Sequence, residues 1–251
     1  MLQEERHHRI RVLLASLQSV STERIAGELG VSRETARRDV LELEALGELR
    51  RVHGGVVAVG PAAEAPIAER ARVRHKEKRA IAKAAARQIA PGACVFIDAG
   101  TTVSALADEL APLGGLTVIT NSFDVAVKLA ARHEVIVLGG RPGTDIGATY
   151  GDLAVAEIHR HRADIAVLSP VGLHPIHGAT SFDSAEAAVA RAMVAQSVQT
   201  MILADHTKLG QISRVSFCAP ADMACVVTDA RAARSPALDA LEAAVSQVIV
   251  A

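Results

Sequence analysis

The sequence predicts an α/β protein in two parts: a small N-terminal winged helix-turn-helix, then a larger, mostly parallel α/β domain with helices on both faces. Three observations carry this. A capped helix rich in early arginines follows a shorter helix and a tight turn over residues 21–47. Directly behind it, Arg, His and Gly sit in the pattern of a basic hairpin. From about residue 76 onward, short apolar runs alternate with helical segments, the pattern of βα units. A chain of 251 residues has room for two cores, and the expected division is 1–57, a linker over 58–75, and 76–251.

Ile10, Leu13, Leu14 and Leu17 recur at helical spacing and supply a first helix that covers the next two. Ser21-Thr22-Glu23 opens a second helix with Ile25, Ala26 and Leu29 on its apolar side. Gly30-Val31-Ser32 turns tightly into a third, giving the helix-turn-helix order. Ser32 is placed to cap that helix, and Glu34 suits its positive end. Ala36, Val40, Leu43 and Gly47 form its apolar stripe, while Arg33, Arg37 and Arg38 crowd the first two turns off that stripe. The N-terminal part of a recognition helix reaches base edges, and arginine fits either two phosphate oxygens or the two acceptors of guanine. Residues 49–57 read as two short strands around a Gly54-Gly55 turn, a wing with Arg50, Arg51 and His53 facing a phosphate backbone. The expected DNA contacts are Ser32, Arg33, Thr35, Arg37, Arg38, Arg50, Arg51 and His53.

Composition narrows the partners. Net charge is −1, and the nine arginines of the first 57 residues are matched by nine acids. The DNA reading therefore rests on where the arginines sit. With no Trp and one Tyr, base stacking on single strands or RNA is disfavoured. No apolar run is long enough for a membrane span, and the charged start does not read as a signal peptide, so a cytoplasmic location is expected. Cys94, Cys218 and Cys225 lack metal spacing and read as reduced, buried thiols, with no metal or cofactor expected.

Gly60-Pro61 and Pro66 break the chain into a linker, and Arg70, Arg72, Arg74, Lys76 and Lys78 read as a solvated basic face or as extra phosphate contacts. Beyond it, helices are expected over 76–89, 103–110, 124–131, 184–197 and 236–244, and strands over 94–98, 116–120, 134–138, 165–168, 201–203 and 225–228. Ligands of such sheets bind at the carboxyl ends of the strands. There lie Asp98, Gly100, Thr101 and Thr102, a Gly-bearing loop opening a helix whose amides and hydroxyls suit a phosphate. Asn121 and Ser122 repeat the arrangement, Gly139, Gly140 and Arg141 add close backbone and a cation, and Glu186 and Lys208 follow later. Together they point to a phosphorylated, hydroxyl-rich ligand. His174 and His177, three apart with Pro175 between, read as part of an irregular loop and not as metal ligands.

Arg37-Arg38-Asp39 in the third helix and Arg51-Val52-His53-Gly54-Gly55 in the wing make residues 4–57 resemble the DNA-binding domain of DeoR-type bacterial transcriptional regulators. DAGTT, VITNS, LGG, EAAVARAM and DHTKLG resemble the sensor domain of the same family, whose fold is related to ribose-5-phosphate isomerase and glucosamine-6-phosphate deaminase. The resemblance implies an effector pocket of Asp98, Gly100, Thr101, Thr102, Asn121, Gly139, Gly140, Glu186 and Lys208, reading a phosphorylated sugar or polyol. Where many members carry Asp-Gly after the fourth strand, this chain has Val171-Gly172. The implied function is a repressor of a sugar or polyol catabolic operon, released from double-stranded operator DNA by its effector. The alternative is an isomerase or deaminase with Asp183, Glu186 or His206 as general base, which leaves the winged helix without a task. One small module buries only about 600–1,000 Å² on DNA, so a homodimer or homotetramer is expected.

Overall fold

Ile10 and Leu14 lie one turn apart on helix α1 (Gln3–Leu17). They are buried against Ile25, Ala26 and Leu29 of α2 (Thr22–Leu29) and Ala36, Val40 and Leu43 of α3 (Arg33–Ala45). The computed structural model describes residues 2–17, 19–52, 55–58, 67–143 and 147–251, which fall into two compact units, Met1–Val73 and Arg74–Ala251. In the first unit, Gly30 ends α2 at φ 64°, and the amides of Gly30 and Val31 return to the carbonyls of Gly27 and Ala26. That pair of bonds closes the helix and turns the chain toward α3. Gly47, expected on the apolar stripe, instead lies past the end of α3 and is exposed.

The wing is strand β2 (Leu49–Val52) antiparallel to β3 (Gly55–Ala58), with Leu49 opposite Ala58 and Val52 opposite Gly55. A third strand, β1 (Ser19–Ser21), pairs with the other edge of β3 and was not expected. Gly55 is where the two backbones come closest: a Cβ there would lie 2.4 Å from the Val20 carbonyl oxygen. Gly55 is thus a strand residue and not part of the turn; His53 and Gly54 lie outside the described residues, as do Gly60, Pro61 and Pro66 of the expected linker. Within that linker the chain forms a short helix, α4 (Ile67–Arg72).

The second unit runs α5 (His75–Ala86), β4 (Cys94–Ile97), α6 (Thr101–Leu110), β5 (Thr117–Thr120), α7 (Phe123–Leu129), β6 (Glu134–Val137), β7 (Arg141–Gly143), β8 (Ala148–Tyr150), α8 (Asp152–Ile158) and β9 (Ala163–Leu168). It continues through β10 (Gly172–His174), β11 (Gly178–Ser181), α9 (Ser184–Ala195), β12 (Ser197–Leu203), β13 (Val215–Cys218), β14 (Cys225–Thr228), α10 (Pro236–Ala244) and β15 (Val248–Val250). Seven strands form one sheet in the order β15-β14-β12-β9-β4-β5-β6, with every pairing parallel. Alternate side chains bury opposite faces. Val95, Ile97, Val118 and Val167 pack with α5, α6 and α7, whereas Phe96, Ile119, Ala166 and Ile202 pack with α8, α9 and α10. Strand order reverses direction between β4 and β9, the switch point at whose carboxyl ends sheets of this kind form a ligand crevice.

Several expected boundaries shift. The helix expected from 103 begins at Thr101, so Thr101 and Thr102 are helical, and the helix expected to reach residue 89 stops at Ala86. Lys78, expected on a solvated face, is buried on α5. The stretch after Val171, expected to be irregular, is a hairpin: His174 pairs with Gly178, and Thr180 donates its hydroxyl to the Gly172 carbonyl at 3.0 Å. His174 serves the turn, its Nδ1 accepting from the amides of Ile176 and His177 at 3.1 and 3.3 Å. Among the described residues no helix is long and apolar enough to cross a membrane.

Candidate DNA interface and effector site

Ser32 caps α3 by accepting from the Thr35 amide at 3.1 Å, and the two hydroxyls share a hydrogen bond at 2.8 Å. Arg33, Arg37 and Arg38 are exposed on the first turns. Arg33 reaches Glu23 of α2 at 3.8 Å, an exposed pairing that leaves it available to an anion. Thr22, Arg33, Arg37, Arg51 and Gly55 help line a groove of about 390 Å³ between α2, α3 and the wing. Asp39, next to the arginine pair, turns inward. Only 1% exposed, it accepts from Arg6 Nε at 2.7 Å and Arg6 Nη2 at 2.8 Å, and His7 Nε2 stands 3.5 Å away.

On the wing, the two expected cations differ. Arg50 is exposed. Arg51 gives both its amide (2.9 Å) and its guanidinium to Glu44 of α3, and those bonds, the amide first, hold the Glu44 carboxyl below its ordinary range. Arg51 therefore fastens the wing to the recognition helix. His53 lies outside the described residues.

In the second unit, α6 starts at the carboxyl end of β4 with Gly100 (φ 144°) in the capping position and no side chain capping its amides. Thr102, 1% exposed, has a hydroxyl without a hydrogen-bond partner among the described residues. A helix start with unclaimed amides and an unclaimed buried hydroxyl favours an anion. Beside it, burial pushes the Asp98 carboxyl up to about 6, against the pull of the Ala99 amide and the Asn121 side chain. Asn121 is fully buried; its Nδ2 donates to the Thr149 carbonyl at 3.2 Å, and its Oδ1 has no partner among the described residues.

Ser169, just past β9, closes the other side of the crevice. Gly100 stands against it, a Cβ at Gly100 falling 3.9 Å from the Ser169 Cβ. Lys208 Nζ comes from the turn after β12 to the Ser169 hydroxyl at 3.3 Å and to the Pro170 carbonyl. Asp98, Gly100, Thr101, Thr102, Asn121 and Lys208 thus gather around the β4–β9 crevice. Ser169, which no sequence signal singles out, joins them.

Other expected effector residues carry local duties. Ser122 caps α7, its Oγ accepting from the Val125 amide at 3.3 Å. The Gly139 amide donates to Glu157 of α8 at 2.6 Å, and Gly140 passes so close to the Tyr150 carbonyl that a Cβ would lie 2.7 Å from its oxygen. Arg141 is exposed on β7. Glu186 accepts from the Ser181 hydroxyl at 3.0 Å. Among the described residues no group of three or more His, Cys, Asp or Glu is disposed to hold a metal.

Residues 6–61 match the DeoR-like helix-turn-helix domain, and residues 73–230 match the DeoR C terminal sensor domain. The chain belongs to the DeoR family. It is a DNA-binding transcriptional regulator. The glycerol-3-phosphate regulon repressor of Escherichia coli is 32% identical over 92% of this chain and 92% of its own length. The HTH-type transcriptional repressor GlcR of Bacillus subtilis is 34% identical, covering 91% of this chain and 89% of its own. Ribose 5-phosphate isomerase A from Methanocaldococcus jannaschii superposes with a TM-score of 0.39 at 13% identity, covering 53% of this chain and 54% of its own, a likeness too slight to carry an argument.

For this DeoR-family regulator, the residues expected as a general base have other work. Asp183 caps α9, accepting from the amides of Ala185 and Glu186 at 2.7 and 3.1 Å. His206 Nδ1 lies 3.0 Å from the buried carboxylate of Asp229, which also accepts from the His206 amide at 2.7 Å.

Proposed function

We propose that this regulator represses a sugar or polyol catabolic operon and leaves its operator when a phosphorylated sugar or polyol enters the β4–β9 crevice. The observation that carries the reading is the start of α6: it lacks a side-chain cap, its buried Thr102 hydroxyl has no partner among the described residues, and Gly100 before it stands against Ser169, to which Lys208 donates. The phosphate takes the Thr101 and Thr102 amides, the Thr102 hydroxyl and the Lys208 ammonium, and the hydroxyls of the ligand meet Asp98 and Asn121. The names of its relatives, repressors of a glycerol-3-phosphate regulon and others, support the polarity and the class of operon.

Residues 1–57 form the DNA-binding domain in this reading, 58–75 the connection and 76–251 the sensor domain, which also carries assembly into a homodimer or homotetramer in the cytoplasm. Ser32, Arg33, Thr35, Arg37 and Arg38 serve the major groove, and Arg50, Arg51 and His53 the adjoining backbone, with Arg51 acting from its anchorage on Glu44. In this reading the chain turns over no substrate, which the repressor names of its relatives support, and Asp183, Glu186 and His206 serve the fold.

A thermal-shift series with glycerol 3-phosphate, ribose 5-phosphate and glucosamine 6-phosphate tests the sensor, since a ligand of the folded state raises its unfolding temperature by mass action. At least one ester is expected to stabilise the protein while its unphosphorylated counterpart does not. Saturable conversion of an ester, lost in Glu186→Gln, would overturn the reading in favour of an enzyme.

A further inference from the structure

We propose that Asp205 couples the effector crevice to the DNA-binding head by dividing one buried negative charge between Lys208, at the crevice, and Arg74, where the sensor unit begins. The inference rests on the effector reading above and adds the route by which occupancy of the site is felt elsewhere.

Asp205 lies just beyond β12 and is fully buried. Its Oδ1 accepts from the Thr207 amide at 3.0 Å and the Thr207 hydroxyl at 2.6 Å, which pin the carboxylate in place. Arg74 Nε stands 3.2 Å from the same oxygen. Burial by itself would push this carboxyl up, but Lys208 and Arg74, aided by Thr207, more than offset it and hold the group below its ordinary range. Lys208 stands in the same turn, its amide donating to the Asp205 carbonyl at 2.9 Å, so the carboxylate is an anion with a cation on either side of it in the chain's packing: Arg74 at 3.2 Å and the Lys208 ammonium of its own turn. A buried charge deprived of part of its compensation is costly, so weakening one cation increases the demand on the other.

Lys208 has a second engagement, on Ser169 and Pro170 at the end of β9. A phosphate accepted at the start of α6 draws on that same ammonium and brings negative charge toward Asp205. The share of compensation left to Arg74 then grows, and the Arg74–Asp205 pair tightens.

Arg74 is unusual in its own backbone. At φ 56° it is the one non-glycine residue in the left-handed region among the described residues. Such a conformation is held only where surrounding contacts over-determine it. Arg74 precedes α5, its carbonyl accepting from the Lys78 amide at 3.0 Å, and it follows directly on Val73, the last residue of the first unit. A change in the grip of Asp205 on Arg74 alters how firmly the chain is held at that joint. This supplies the difference between liganded and unliganded states that any effector needs in order to shift DNA binding.

The test uses the full chain, an operator duplex selected from random sequence by the parent, and the three esters above with inorganic phosphate as the minimal probe. Arg74→Gly removes the guanidinium and suits the left-handed backbone; Arg74→Lys keeps a cation. Arg74→Gly should bind operator much as the parent does and still bind ester, though more weakly, because Lys208 then carries more of the Asp205 charge. Saturating ester should change operator affinity by about 5–150-fold in the parent but by less than about twofold in Arg74→Gly, with most of the response kept in Arg74→Lys. An Arg74→Gly protein that folds and responds like the parent overturns the coupling alone. If neither an ester nor phosphate binds the parent, the effector reading falls and this inference falls with it.

Discussion

Arg6 and Asp39, one on α1 and the other on the inner side of the recognition helix, are joined by two hydrogen bonds of 2.7 and 2.8 Å. The pair sets the roll of α3 and hence the direction in which Arg37 and Arg38 point. Asp39→Asn should lower the unfolding temperature of the N-terminal unit and weaken binding to all DNA sequences alike. Thermal unfolding beside an anisotropy titration reads both effects; a variant that melts and binds like the parent would show that the pair is not a strut.

Arg38 and Arg50 should fail differently. Arg38→Ala is expected to cost about 1–3 kcal/mol on the selected operator and to flatten preference at one base position. Arg50→Ala should weaken selected and unrelated DNA to the same degree and lower the salt slope by about one unit. Binding measured on both duplexes across a salt series separates the two. Equal loss on both duplexes for Arg38→Ala would remove it from base readout.

What the sequence made legible was local. The Ser32 cap, the Ala36, Val40 and Leu43 stripe, and the apolar runs of β4, β5 and β14 depend on neighbours a few residues away, and each lies where spacing predicts. The start of α6 was legible for the same reason, apart from Thr101 and Thr102 belonging to the helix itself. The unread features depend on distant partners. Asp39 turns inward because Arg6 waits on another helix, and Arg51 is held by Glu44 across the wing. Strand β1, only three residues long, exists because β3 offers an edge. The β10–β11 hairpin likewise forms where Gly178 lets β13 approach, a Cβ there falling 2.0 Å from the Cys218 carbonyl oxygen. Glu157, which takes the Gly139 amide, sits on a helix that no pattern in that stretch announced.

Asp98 should make stability depend on pH. Its carboxyl moves from an ordinary 3.8 up to about 6 on folding, so the folded protein holds this proton more tightly than the unfolded chain. The parent therefore loses stability as pH rises from about 4 to about 6, and the loss is complete above that, reaching at most about 3 kcal/mol. Asp98→Asn has no such proton to lose. Its stability relative to the parent should rise through that window and then level off; a difference that stays constant from pH 4 to 8 would show that folding does not raise this carboxyl.

Thr102→Val keeps the shape of the side chain and deletes its hydroxyl. It should weaken binding of the stabilising ester by roughly tenfold, on the order of one hydrogen bond to a charged group. Operator affinity without ester should stay at the parent value. Calorimetric titration of ester into both proteins decides it, and equal affinities would exclude this hydroxyl from the phosphate site.

The most direct measurement is an anisotropy titration of the full-length protein on its selected operator, repeated with each phosphate ester at saturation. The parent should bind the duplex tightly and release it, with affinity reduced about 5–150-fold, in the presence of at least one phosphorylated sugar or polyol and not of its unphosphorylated form. Operator affinity that no phosphate ester changes, in a protein that nevertheless binds the ester, would contradict a ligand-released repressor.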